Sequence, residues 1–386
     1  MSGFGFHTLA LLAVIGMAGP LLASLPRFRV PVIIGELVAG LIVGQTGFGI
    51  VEYTDATFTL LANIGFALVM FVVGTNVPVR DKTLRSAIPK ALLRAVAVGA
   101  VAAVLGVVLA RAFGTGHTAL YAVLMVSSSA ALALPVIDSL GLSGPPVLSV
   151  TTQIAIADAT SIVLLPLVIN PTQAPRAALG ALAIAGFAAV LFVVLRAGDR
   201  RGWRERLHHY SHDHEFALEL RISLIMLFAL CALAVTTHVS IMLGGFALGL
   251  VVSGIGEPRR LARQLFGITE GFFGPLFFVW LGASLQVREL GEHPWLILLG
   301  VGLGAGAIVA HCIGRLFGQP LTLAVLSAAQ LGVPVAAATL GTQQHLLAPG
   351  EPSALMLGAL VTIASASIAG ALSARCQSAD ESKASG

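Results

Sequence analysis

The sequence predicts an all-α fold, a polytopic membrane protein of about thirteen transmembrane helices. Three observations lead there. The 386 residues are 57% hydrophobic and 10% charged, with 43 glycines, whereas soluble domains carry about a quarter charged residues. So few charges cannot cover a globular surface, and the mean hydropathy of +0.94 says the same. Apolar runs of bilayer-crossing length, roughly 20 residues, recur along the whole chain, and basic residues gather at alternate ends of them.

The runs fall near 5–24, 31–44, 58–75, 88–110, 119–140, 147–169, 177–196, 218–236, 239–254, 265–285, 295–316, 321–340 and 353–372. The first carries no Lys or Arg, so it reads as a retained span rather than a secretory leader with a basic start. With the N-terminus outside, the inner loops collect Arg27, Arg29, the run Arg80 to Lys90 and the block Arg196 to Arg206. They also collect Arg259, Arg260, Arg263, Arg315 and the tail. Arg111, Arg176 and Arg288 fall on the outer side, beside Glu52, Asp55, Glu292 and Glu351. Basic loops mark the cytoplasmic face, so the expected location is the cell (inner) membrane with a cytoplasmic C-terminus. The net charge of +4 belongs to these loops and is no nucleic-acid footprint. Cys231, Cys312 and Cys376 have no C-x-x-C spacing, so neither disulfides nor a metal cluster is expected.

An internal repeat is visible. Residues 35–44, GELVAGLIVG, match 244–253, GGFALGLVVS, in glycine and aliphatic order, and 74–81, GTNVPVRD, match 282–289, GASLQVRE. The offsets, 209 and 208, are nearly equal although the matches come from separate segments. They pair segments seven apart, which run in opposite directions through the membrane, as in the inverted repeats of secondary transporters.

Such transporters place their sites where paired helices are interrupted near the midplane. Segments five and twelve are the interrupted pair. The first carries Ser127, Ser128 and Ser129 ahead of Pro135; the second carries Gln330, Gly332 and Pro334. Proline removes a backbone donor and glycine weakens the helix, which frees carbonyls and hydroxyls for a cation. A kink in a packed helix is the plainer explanation of either alone. Between them lies Thr151 to Ile169 with Asp158 in its middle. An acid there costs roughly 2.5–3.5 kcal/mol on insertion, so it persists only where it meets a polar cavity or does chemistry. At helical spacing Thr151, seven residues before, and Ser161, three after, share its face. The candidate ion- and proton-binding residues are therefore Asp158, Ser128, Ser129 and Thr151, with Pro135, Gln330, Gly332 and Pro334 supporting the breaks.

The residues quoted so far resemble the cation:proton antiporter-2 family, the bacterial sodium/hydrogen exchanger type. VPVIIGELVAGLIVGQTGFGI at 30–50 is similar to that family's second helix, with Gln45 where proline is usual. LANIGFALVMFVVGTNV at 61–77 and FFGPLFFVWLGASL at 272–285 resemble its paired signature helices, and the resemblance covers about 5–375. It implies a dimer of thirteen-helix subunits, with two broken helices crossing in a core part. That division assigns 1–375 to the transmembrane domain, 58–169 and 265–372 to the ion-binding part, the remaining helices to dimerisation, and 376–386 to a short cytoplasmic tail. The sequence departs from the family in three further places. Ala157 precedes Asp158 where a second acid or Asn is usual, segment 295–316 has no Lys and carries Gly306 near the expected place, and Gln330 stands nearest to a missing Arg-Gly-Glu element.

The expected function is exchange of a monovalent cation, Na+ or K+, for protons, with Asp158 holding one or the other. Burial favours the neutral carboxyl and a bound cation favours the carboxylate. A lone acid suits electroneutral exchange of one proton for one ion. No enzyme activity, cofactor or nucleic-acid partner is expected; the partners are the cation, the proton, the lipid bilayer and a second copy. An alternative is a proton-driven exporter of a small organic or ionophore-like solute. A glutathione-gated potassium channel is disfavoured, since about fourteen residues follow the last span and no nucleotide-binding domain is expected. A G-x-G-D protease motif is absent. Glu36 reads as structural beside inner-loop arginines, Asp138 as an interfacial anchor, and Arg315, one turn after His311, as snorkelling to the interface. HHYSHDHE at 208–215 reads as a solvated loop, with a metal or pH-sensing role the alternative.

Overall fold

The computed structural model describes residues 5–24, 32–75, 82–202, 218–237, 239–256, 259–285 and 287–384. Every regular element among them is helical. Ten of these helices are long and apolar enough to cross a membrane, and Val32–Val43 and Ile241–Ile255 are shorter apolar helices. The last two are the second and ninth of the runs expected from sequence.

Contacts divide the chain into two compact units. One comprises Met1–Arg80 and Arg176–Gln286, the other Asp81–Pro175 and Val287–Gly386. These packing boundaries differ from the grouping of 58–169 with 265–372 expected above: the helices within 56–75 and 274–284 pack in the first unit.

The first unit contains α1 (Phe6–Gly16), α2 (Ala18–Ala23), α3 (Val32–Val43) and α4 (Ala56–Thr75). It continues with α9 (Ala174–Arg200), α10 (Leu218–Thr236), α11 (Ile241–Ile255), α12 (Arg259–Ile268) and α13 (Gly274–Ser284), the last two joined through a π-helical turn at Thr269–Phe273. Asp55 caps α4, its Oδ1 accepting from the N–H groups of Thr57 and Phe58 at 2.8 and 3.0 Å. Glycine lets two helix pairs approach backbone to backbone. A Cβ on Gly40 of α3 would strike the Val279 carbonyl of α13, and one on Gly282 would strike the Leu37 carbonyl. In the other pair, Gly249 of α11 meets the Phe71 carbonyl of α4, and Gly74 meets the Phe246 carbonyl. Adding 209 to 37 and 40, and subtracting 208 from 279 and 282, converts the first set of contacts into the second. The repeat read from the sequence is thus repeated as packing, residue for residue; of its second stretch, 76–81 lies outside the described residues.

The second unit contains α5 (Lys82–Phe113), α6 (Thr118–Val126), α7 (Ala130–Ser139) and α8 (Pro145–Ile169). It also holds α14 (Val287–Glu292), α15 (Pro294–Cys312), α16 (Leu321–Ser327), α17 (Gly332–Gln343) and α18 (Glu351–Ala384), with a 3₁₀ turn at Ile313–Phe317 after α15. Two of its crossings are interrupted, as expected: α6 and α7 are separated at 127–129, and α16 and α17 at 328–331. Ser127 turns the chain out of the helix with φ −67° and ψ 147°. Arg94, buried in α5, donates to Ser149 Oγ on α8 at 2.9 Å and to the Phe317 carbonyl at 2.9 Å. It thereby ties α8 to its neighbours about nine residues ahead of Asp158.

Candidate ion-binding site

A helix interrupted inside a protein leaves backbone donors and acceptors that must find partners. Here the two interruptions supply them to each other. The Ser129 N–H donates to the Ala329 carbonyl at 2.7 Å. The Ser128 hydroxyl donates to the carbonyl of Ser327, the last residue of α16, at 2.7 Å. Gln330 N–H donates to Thr362 Oγ1 of α18 at 3.2 Å, and Thr362 in turn donates to the Ala359 carbonyl at 2.7 Å.

A further donor is the N–H of Ala130, which opens α7. It is met by Asp158, whose Oδ2 accepts from it at 2.9 Å. Asp158 is 5% exposed. A helix N-terminus carries partial positive charge and attracts anions, so the contact suits an ionised carboxylate. Among the described residues no Lys or Arg pairs with Asp158. Its other oxygen makes no hydrogen bond with them.

Other polar atoms on these elements are buried without hydrogen-bond partners: Ser161 Oγ and Gln153 Oε1 on α8, and Gln330 Nε2 at the second interruption. Ser161 belongs to the polar stripe read from sequence, three residues after Asp158. Thr151, the other member of that stripe, is half-buried and donates its hydroxyl to the Val147 carbonyl at 3.0 Å, which leaves the oxygen lone pairs free to accept. Ser128 and Ser129 are buried in the first interruption. Gly332 and Pro334 are buried and open α17, and Pro135 lies inside α7, past the break, with its side chain and that of Asp138 outside the described residues. The first break therefore follows the three serines.

His311 is the residue whose position the sequence did not convey. The sequence places Arg315 at the interface and gives His311, one turn before it, no role of its own. The structure buries it to 1% exposure and leaves Arg315 exposed. Its Nδ1 lies 2.9 Å from the Ala307 carbonyl, which only accepts, so Nδ1 carries a proton. Its Nε2 lies 3.3 Å from Ser128 Oγ. Asp158 and His311 thus flank the same three-residue interruption from different helices. Gly306, one turn earlier on α15, faces the Met125 sulfur. Glu36 is buried on α3 against Gly19, while Arg27 and Arg29 of the inner loop before it and the stretch 208–215 lie outside the described residues.

Comparison with known proteins agrees with this architecture. A family model described as "Sodium/hydrogen exchanger, transmembrane" matches residues 10–373. YjbQ of Bacillus subtilis (strain 168) is 22% identical over 377 residues, 92% of this chain and 61% of that protein. The Na(+)/H(+) antiporter NhaS5 of Synechocystis is 26% identical over 337 residues, 82% of this chain and 47% of that protein. The chain therefore spans about half to three-fifths of those two relatives. Among solved structures, the sodium proton antiporter MjNhaP1 from Methanocaldococcus jannaschii at pH 8 superposes with a TM-score of 0.64 over 96% of this chain and 95% of that one, at 17% identity. That likeness is one of fold.

Proposed function

Since the chain belongs to the transmembrane sodium/hydrogen exchanger family, we propose that it is a secondary active transporter exchanging a monovalent cation for protons, with Asp158 as the carrier. One observation carries the reading: a buried carboxylate, unpaired with any described basic side chain, set at the crossing of two interrupted helices with one oxygen on a helix N-terminus. An empty charged carboxylate is costly in apolar surroundings, whereas a protonated or cation-bound one is neutral. The site moves between the two aqueous sides only when occupied, and that restriction couples the two fluxes.

In this reading the cation, Na+ or K+, takes oxygen ligands from Asp158, Ser128, Ser129 and Thr151, with Ser161 added from the structure. Hard monovalent cations favour such oxygens. One acid with Ala157 before it gives exchange of one proton for one cation, without net charge movement. The first unit supplies the surface on which two copies pair, and the N-terminus lies outside a cell membrane whose cytoplasmic side receives the C-terminus.

The test is proton movement in proteoliposomes, followed by dye dequenching on addition of sodium, potassium, lithium or rubidium, with and without a membrane potential. Cation-driven dequenching that is insensitive to the potential and lost in Asp158→Asn is the expected result. Undiminished exchange in that variant would refute the assignment.

A further inference from the structure

Away from the crossing, two ionisable side chains of the second unit meet at the carboxylate of a third. His117 Nδ1 lies 2.7 Å from Glu351 Oε1, and the Tyr121 hydroxyl donates to the same oxygen at 2.7 Å. The second oxygen, Oε2, accepts from the Ala348 N–H at 3.1 Å. Glu351 and Tyr121 are buried, while the His117 side chain keeps 29% of its surface exposed. The imidazole therefore has access to water and the carboxylate does not. The His117 and Tyr121 rings meet edge to face, centroids 6.2 Å apart.

The positions of these residues in the fold matter more than the bonds alone. His117 immediately precedes α6, the half-helix that ends at the first interruption. Glu351 opens α18, and eleven residues later the same helix presents Thr362 to Gln330 of the second interruption. One ion pair thus joins the far ends of the two elements that hold the two breaks. We propose that His117 and Glu351 form a second proton-binding site, distinct from Asp158, which strengthens the hold of α6 on α18 when the imidazole is charged and leaves only the Tyr121 hydroxyl and a neutral hydrogen bond there when it is not.

The electrostatics support this. The hydrogen bond that His117 donates to Glu351, and then the carboxylate's charge, hold His117 above the ordinary imidazole value of 6.5, against the opposing effect of partial burial. The other ionisable groups near this end of the neighbouring elements are Arg111 at the end of α5, Arg288 and Glu292 on α14, His293 before α15 and His345 after α17, while Lys90 and Arg94 of α5, His311 of α15 and Arg375 of α18 lie far along their helices. None of them bonds to His117 or Glu351. Acidification of the bathing solution therefore tightens the clamp and alkalinisation loosens it; the elements beside the two interruptions are then less restrained, so exchange rises with pH through the His117 titration. This last step alone rests on the transport reading.

The test is a pH titration of ring-labelled histidine by NMR on the full chain in lipid nanodiscs. His117→Gln identifies the signal, and Glu351→Gln removes the carboxylate. The expected signal, absent in His117→Gln, titrates above 6.5 in the wild type and falls by about one pH unit or more in Glu351→Gln. Titration at or below 6.5 would overturn the site, as would a signal unmoved by Glu351→Gln; should that variant not fold, the wild-type titration decides. In proteoliposomes both variants are expected to lose the alkaline rise in exchange, and a wild-type pH profile in both overturns the clamp. No exchange by the wild type itself would sink the transport reading instead, and the NMR titration would still decide the proton site.

Discussion

The Oδ2 atom of Asp158 lies 2.9 Å from the backbone nitrogen of Ala130, the first residue of α7. A side chain of one helix thus closes the N-terminus of another in the interior of the second unit. Helix N-termini favour anions by about 0.3–1 kcal/mol at exposed sites and up to ~2 kcal/mol when partly buried. That is too little to offset removal of a full charge from water, which costs several kcal/mol per ion. The contact orients the carboxylate without offsetting its charge; in the proposed function a proton or a cation does that.

Asp158→Asn isolates the charge. Asparagine keeps an oxygen for the Ala130 N–H, so the variant is expected to melt within about 5 °C of the wild type. Cation-driven proton movement is expected to fall to that of empty vesicles. Circular dichroism melting and dye dequenching check the two halves.

Ser128 and His311 form a coupled pair. Ser128→Ala removes the donor to the Ser327 carbonyl and the group facing His311 Nε2. Stranding such buried polar groups costs about 1–3 kcal/mol. His311→Ala is expected to destabilise as well, and the double variant by less than the sum, with a coupling of about 0.5–3 kcal/mol. Denaturant unfolding in mixed micelles measures all three; strict additivity would show that the two side chains do not interact.

The packing repeat predicts equal sensitivity at related positions. Gly40→Ala and Gly249→Ala each drive a methyl into a carbonyl of the facing helix, and each is expected to cost about 1–3 kcal/mol. Gly186→Ala in α9 meets nothing within 4 Å and is expected to stabilise by about 0.5–1 kcal/mol. Thermal melting of the three variants against wild type checks the pattern.

Stability should depend on pH through His117. Its pKa is raised in the folded chain by Glu351, so the interaction is strongest when the imidazole is protonated. The contribution is fully present below the unfolded value of 6.5 and is lost as pH rises through the raised folded value. Melting temperature measured from about pH 6 to about pH 9 is expected to fall over that window in the wild type, and to fall less in His117→Gln.

By itself the sequence determined the class of the protein and most of its apolar helices, and it singled out Asp158 as the acid to examine. Apolar runs, basic loop ends and a carboxylate in an apolar stretch are local features, and the bilayer imposes their meaning residue by residue. Even the repeat was legible, because backbone-to-backbone packing demands glycine at Gly40, Gly74, Gly249 and Gly282, and glycine leaves a readable pattern. What only the tertiary structure decided was which groups meet. Ser128 and Ser327 stand 199 positions apart, His117 and Glu351 234, and no periodicity joins positions so distant. The helices break where their stray N–H and carbonyl groups can be satisfied across the crossing, at Ser127 to Ser129 and Ala328 to Leu331. That choice belongs to two segments together and is written in neither one.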